Sequence, residues 1–242
     1  MIVRDAPSLN HDERPAGEPV DTLILHYTGM RTAEEAIGRL RDPASRVSAH
    51  YVVEEDGTIW RLVPEERRAW HAGVSHWRGR EALNGRSIGI EIVNPGHEWG
   101  YRPFPALQMA AVCDLCLDIL TRHSIAARDV VAHSDVSPDR KQDPGELFDW
   151  EGLAANGVGL WPRPAGGTPR TVEASSAPAL LGAIGYRTDL PLPVLLSAFQ
   201  RRWRPERIDG ATDAATLALL DAVAALHEET PGAIDANDAA GA

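Results

Sequence analysis

His26 closes an apolar run, Val20–His26 (VDTLILH), at a point where a side chain can leave a sheet and enter a cleft. His133 likewise follows a short apolar run, Asp129–Ala132. Ten positions later comes Asp143, with Lys141 two positions before it, and Pro138, Pro144 and Gly145 keep this stretch in loop. Residues two apart in an extended chain face the same way, so Lys141 and Asp143 can look into the same cavity as His133. Two histidines and a carboxylate suit Zn²⁺ in a tetrahedral site with one open position, where the metal acts as a Lewis acid for hydrolysis. Such chemistry also needs a general base. Glu91 is the one charged residue in the apolar run Ser87–Val93 (SIGIEIV), where a carboxylate is costly without a role or a partner. Lys141 could then donate to a developing oxyanion. The plainer alternatives are a hydrogen-bonded polar cluster for the trio, a salt bridge for Glu91 and a solvated loop lysine for Lys141.

The elements that must position these residues follow from periodicity. Val20–His26, Ala49–Val53, Thr58–Leu62, Ser87–Val93 and Asp129–Ala132 read as strands. Asp56-Gly57 between two of them signals a hairpin. Thr32–Arg41 has helical spacing, with Thr32 as cap and Glu35 completing a capping box, and Pro105–His123 is a longer helix. Strands interleaved with helices predict an α/β fold, a central mixed sheet flanked by helices. Residues 1–20 read as a surface arm. The Pro/Gly/Thr-rich stretch 163–174 reads as a linker, followed by three helical segments, Ala177–Gly185, Pro191–Arg202 and Asp213–Leu226, and a polar tail at 229–242.

A net charge of −11 repels nucleic acid and anionic membrane surfaces. There is no apolar run long enough to span a bilayer, and Met1–Pro7 has no basic region leading into an apolar stretch, so a cytoplasmic protein without membrane insertion is expected. A monomer is expected. Cys113 and Cys116, the two cysteines, read as packing residues on one helix face.

Four ordered motifs carry a family resemblance: HYTGM at His26–Met30, AWHAGVSHWRGR at Ala69–Arg80, SIGIEIVN at Ser87–Asn94 and AHSDVSPDRKQDPG at Ala132–Gly145. They resemble the N-acetylmuramoyl-L-alanine amidase type 2 family over about residues 1–162, which includes bacterial muropeptide amidases, phage lysozyme-amidases and animal peptidoglycan recognition proteins. The resemblance implies His26, His133 and Asp143 as zinc ligands, Glu91 and Lys141 as catalytic residues, and a zinc-containing groove at one face of the sheet. It implies hydrolysis of the amide between N-acetylmuramic acid, in anhydro or reducing form, and L-alanine. The substrate would be peptidoglycan fragments, in cytosolic muropeptide recycling. A recognition protein that does not cut, or an exported cell-wall autolysin, are the alternatives.

Residues 175–228 resemble the peptidoglycan-binding helical domain of cell-wall enzymes, carried by Leu180-Leu181-Gly182, AFQRRWRP at Ala198–Pro205, Asp209-Gly210 and Thr216. Trp70, His71, Ala72, Arg80 and Asn84 are the candidates for substrate contact. Aromatic rings suit sugar faces, and Arg78 or Arg80 suits a peptide carboxylate. His50, next to Ala49 on its strand, could face the groove or the core.

Overall fold

A computed structural model of the protein describes residues 3–163 and 171–230. Its strands are β1 (Val3–Asp5), β2 (His11–Glu13), β3 (Thr22–Tyr27), β4 (Tyr51–Val53), β5 (Ile59–Arg61), β6 (Arg67–Ala69), β7 (His76–Trp77), β8 (Arg80–Glu81), β9 (Ser87–Ile92) and β10 (Val130–Ala132). Its helices are α1 (Ala33–Arg41), α2 (Gly96–Trp99), α3 (Ala106–Arg122), α4 (His133–Val136), α5 (Trp150–Ala155), α6 (Ala177–Ile184), α7 (Leu192–Trp203) and α8 (Ala214–Glu229).

The main sheet has six strands in the order β1-β5-β4-β9-β3-β10. The hairpin β4–β5 is antiparallel and the other pairings are parallel, so the sheet is mixed, as expected. Strands β3 and β9 lie at its centre and are covered on both faces, which is why they read as near-continuous apolar runs. Leu23, Leu25, Ile88, Ile90 and Ile92 pack with Val112, Leu115, Cys116 and Ile119 of α3 and with Trp150 and Leu153 of α5. Cys116 is thus a core residue, and both cysteines are free thiols.

Ile24 and Val131 alternate to the other face. There they share one cluster with Leu181 and Ile184 of α6, Leu195 and Phe199 of α7, and Leu220 and Val223 of α8. Ala72, Trp77, Leu83 and Val136 belong to the same cluster. The three C-terminal helices therefore close the second face of the sheet and share its core.

Some boundaries differ from expectation. The N-terminal arm is partly structured: β1 adds to the sheet edge beside β5, and β2 pairs with β6. Both strands are three residues long, exposed in β1 and half-buried to exposed in β2, and mostly polar, so no alternation marked them. Thr32 caps α1 by accepting from the Glu35 N–H at 3.1 Å, but the Glu35 carboxylate accepts from the Arg31 N–H at 3.2 Å and not from the cap residue. Most of the expected linker, residues 164–170, and most of the expected tail, residues 231–242, lie outside the described residues. Among the described residues no helix is long and apolar enough to cross a membrane.

His50 faces the core. Its Nδ1 accepts from the Gly89 N–H at 3.0 Å, and its Nε2 lies 3.1 Å from the Arg67 carbonyl and 3.0 Å from Arg14 Nη2. His227 is 1% exposed, between the rings of Trp77 and Trp203. Burial, with nearby Arg14 for His50 and Arg202 for His227, pushes each down to about 3.

Two outcomes follow from this packing. Both histidines titrate lower in the folded chain than in the unfolded one, so the unfolded state binds more protons below pH about 6.5. Their stabilisation is complete above that pH and drains away as pH falls toward 3, by up to about 1.4 kcal/mol per pH unit for each group. We predict a falling Tm between pH 6.5 and 4, with a shallower slope in His227→Phe; a flat Tm would contradict the neutral burial. We also predict that ending the chain after Pro162 uncovers Ile24, Trp77 and Val131 and yields aggregating protein. A soluble fragment with an unchanged Tm would show the helices to be an appendage.

Candidate metal centre

In the parallel part of the sheet, β3, β9 and β10 all run toward one edge, and ligands in such sheets gather outside the carboxyl ends of the strands. His26 lies near the end of β3. Glu91 is its register partner on β9, so both side chains leave the same face. His133 opens α4 directly after β10. The loop that follows returns Asp143, pinned by a hydrogen bond from the Ser134 N–H to the Asp143 carbonyl at 3.0 Å. Tyr101 props the same loop: its hydroxyl donates to the Pro144 carbonyl at 2.7 Å and accepts from the Leu147 N–H at 3.0 Å. Gly145 has a φ of +89°, and any Cβ there would overlap the Tyr101 hydroxyl.

These constraints bring together His26 Nδ1, His133 Nδ1 and Asp143 Oδ2. The two nitrogens are 2.9 Å apart, and the carboxylate oxygen lies 3.1 Å from His26 and 2.9 Å from His133. All three residues are buried.

The surrounding hydrogen bonds assign the protons. His133 Nε2 faces the Ala72 carbonyl at 3.2 Å, and a carbonyl only accepts, so in the neutral ring Nδ1 is a bare lone pair. Behind His26 runs a chain. Ser87 Oγ donates to the Leu83 carbonyl at 2.7 Å and is free to accept from His71 Nε2 at 3.2 Å. His71 Nδ1 then accepts from His26 Nε2 at 3.0 Å, which leaves His26 Nδ1 bare as well. Burial, then the neighbouring His133, pushes His26 down to about 4, and burial with His26 beside it depresses His71 further.

Three lone pairs therefore converge with no proton between them. That is repulsive unless a cation stands among them. Ligands of a tetrahedral zinc at about 2.0–2.1 Å lie about 3.3 Å apart, close to the observed triangle. The donor set, two imidazoles and one carboxylate, fits zinc with a position left open. Each imidazole also has the outer acceptor that metal-bound histidines require.

The cluster opens on a cavity of about 450 Å³ lined by Trp70, Glu91, Lys141 and Tyr27, among others. Glu91 is half-buried, and its Oε2 is enclosed without a hydrogen-bond partner among the described residues. Burial, then the Asp143 charge, pushes its carboxyl well above the ordinary value, with Lys141 opposing. A carboxyl of raised proton affinity beside an open cavity is a candidate for proton exchange.

The residues expected to touch substrate divide. Trp70 borders the cavity. His71 borders it too, but both its ring nitrogens are engaged with His26 and Ser87. Ala72 is buried and offers its carbonyl to His133. Asn84 lies behind the loop, where its Oδ1 accepts from the His71 and Ala72 N–H groups at 3.1 and 2.8 Å. Arg80 is exposed on β8 and borders a different cavity of about 550 Å³, beside Arg78 and the end of α6. So His71, Ala72 and Asn84 support the metal cluster, and Arg80 lies away from it. Sequence reasoning missed Ser87 and Tyr101. The one available signal was Gly89 within an apolar strand, because a strand glycine marks a close approach.

The approach is the His71 ring, which occupies the space a Cβ on Gly89 would fill. We predict that Gly89→Ala displaces His71, frees the His26 ring and weakens zinc binding on the order of tenfold in a chelator competition. Unchanged affinity would show that His71 does not set His26.

Residues 16–146 match the N-acetylmuramoyl-L-alanine amidase family model. AmiD of Escherichia coli, solved as a complex with anhydro-N-acetylmuramic acid-L-Ala-D-gamma-Glu-L-Lys, is 37% identical with a TM-score of 0.76, over 87% of this chain and 91% of that one. AmpDh3 of Pseudomonas aeruginosa is 34% identical with a TM-score of 0.78, over 88% of this chain and 94% of that one. The 1,6-anhydro-N-acetylmuramyl-L-alanine amidase AmpD of Escherichia coli K12 is 36% identical over 165 residues, 61% of this chain and 87% of its own length. With its fold and its His26–His133–Asp143 cluster in place, the chain belongs to the N-acetylmuramoyl-L-alanine amidase family.

Proposed function

We propose that this protein is a zinc-dependent amidase that cleaves the amide between anhydro-N-acetylmuramic acid and the L-alanine of the stem peptide. The observation that carries the reading is the meeting, at one cavity, of three converging lone pairs and an enclosed, unpartnered carboxylate oxygen. Support for the substrate comes from AmiD, crystallised with such a muropeptide, and from the name of AmpD.

His26, His133 and Asp143 would hold Zn²⁺, which when bound supplies a Lewis acid to the scissile carbonyl and lowers the pKa of the attacking water. Glu91 takes a proton from that water as its oxygen bonds to the carbonyl carbon. Lys141, which lines the same cavity, donates to the oxygen on which negative charge develops. As the C–N bond breaks, Glu91 passes its proton to the departing alanine nitrogen. The products are a muramyl carboxylic acid and a free peptide amine. Burial of Glu91 raises its proton affinity, the direction that favours holding the proton until it is returned. Trp70 offers an aromatic wall for the sugar or peptide.

We place this activity in cytosolic muropeptide recycling. A surface of net charge −11 favours small soluble fragments over an anionic wall polymer.

The test is digestion of a purified anhydro-muropeptide, followed by mass spectrometry, with and without chelator. Release of free stem peptide, lost with chelator and restored by zinc, is expected. Glu91→Gln should lower kcat by about 10²–10⁴-fold with zinc affinity intact; full activity in that variant would remove Glu91 from the mechanism. Zinc binding without cleavage would favour a recognition protein, and cleavage of intact sacculi but not of fragments would favour a wall autolysin.

A further inference from the structure

Helix α4 has four residues, too few to hold its own direction, yet its first residue is His133. What fixes it is Asp135. The Asp135 carboxylate is 1% exposed, and its Oδ2 accepts from the Ala132 N–H at 2.9 Å, closing the turn that aims His133. The same oxygen accepts from Arg202 Nη1 at 2.6 Å, and Oδ1 accepts from the Tyr186 hydroxyl at 2.5 Å. Arg202 lies on α7 and Tyr186 just beyond α6, both in the C-terminal helical region.

Arg202 grips β10 at both ends. Its Nη2 donates to the Val130 carbonyl at 3.2 Å, while Nη1 holds the carboxylate just past Ala132. Its guanidinium lies over the rings of Trp150, at 4.0 Å, and Trp203, at 4.4 Å. The pair is dry: the two side chains are 3% and 1% exposed. Buried ion pairs gain little net stability, because desolvation offsets the attraction, and their best-attested use is to fix geometry.

We propose that Arg202 and Tyr186 are positioning residues for His133, so that the C-terminal helices set the metal centre from behind in addition to covering the sheet. The proposal rests on the reading of His133 as a metal ligand.

The test measures zinc affinity of the full-length protein by competition with a chromophoric chelator, with kcat and Tm alongside. Arg202→Lys keeps the charge but loses the fork, and Tyr186→Phe removes one hydroxyl with the ring retained. Each is expected to weaken zinc binding on the order of tenfold, while far-UV circular dichroism stays native. His133→Ala is the control and should lose tight zinc binding. If both variants keep wild-type zinc affinity and kcat and lose only Tm, the helices are a passive brace and the proposal is overturned. If His133→Ala binds zinc as tightly as wild type, the ligand reading itself fails, and that failure is separately visible.

Discussion

Three buried polar atoms share one point. His26 Nδ1, His133 Nδ1 and Asp143 Oδ2 lie 2.9–3.1 Å apart, and a cation among them would call for a proton on the far side of each ring. Much of the local architecture answers the second requirement. The Ala72 carbonyl and the His71–Ser87–Leu83 chain are the acceptors behind the rings. For those to be in place, the loop from Trp70 to Ala72 must press on β9, with Asn84 holding its N–H groups and Gly89 yielding the space. In a loop that reads as a substrate wall, His71 and Ala72 stand behind the two imidazoles of the cluster.

Parallel strands solve the first requirement. Side chains in register on neighbouring parallel strands project to the same face, so β3 and β9 deliver His26 and Glu91 side by side with no help from a loop. The proximity of Asp143 then does double duty. It would supply ligand charge to a bound cation, and it helps hold the Glu91 carboxyl above its ordinary value, as the base role proposed for Glu91 would call for.

This division explains what could be read in the sequence. The ligands, Glu91 and Lys141 stood out because each interrupts a local pattern: a histidine at the end of an apolar run, a carboxylate inside one, a proline-framed loop. The central strands were legible because burial on both faces leaves them uniformly apolar. Strand β1 was not, since its exposed edge position demands no pattern. The role of His71 was hidden because its partners come from β3 and β9, and an aromatic loop motif looks the same whether it faces substrate or a ligand's back. Arg80 sits on the β7–β8 hairpin, whose direction is set by packing with the end of α6 and not by local sequence.

The C-terminal helices are the largest departure from a modular reading. Three helical segments after a proline-rich stretch read as a separate small domain, one that could bind glycan or only brace the catalytic part. Yet Ile24, Val131 and Val136 are covered by residues of α6, α7 and α8, so neither part has a closed core alone. Arg202 makes the dependence specific. An isolated helical unit would carry this guanidinium without its carboxylate, and the sheet alone would leave Asp135 without its cation, each a costly state in a dry site. The Arg202 Nε remains without a partner even here, and the rings of Trp150, from the catalytic part, and Trp203, from α7, take up the rest of the charge. The ion pair and its two tryptophans thus couple the helices to the strand end that bears His133, and make the metal site a property of the whole chain.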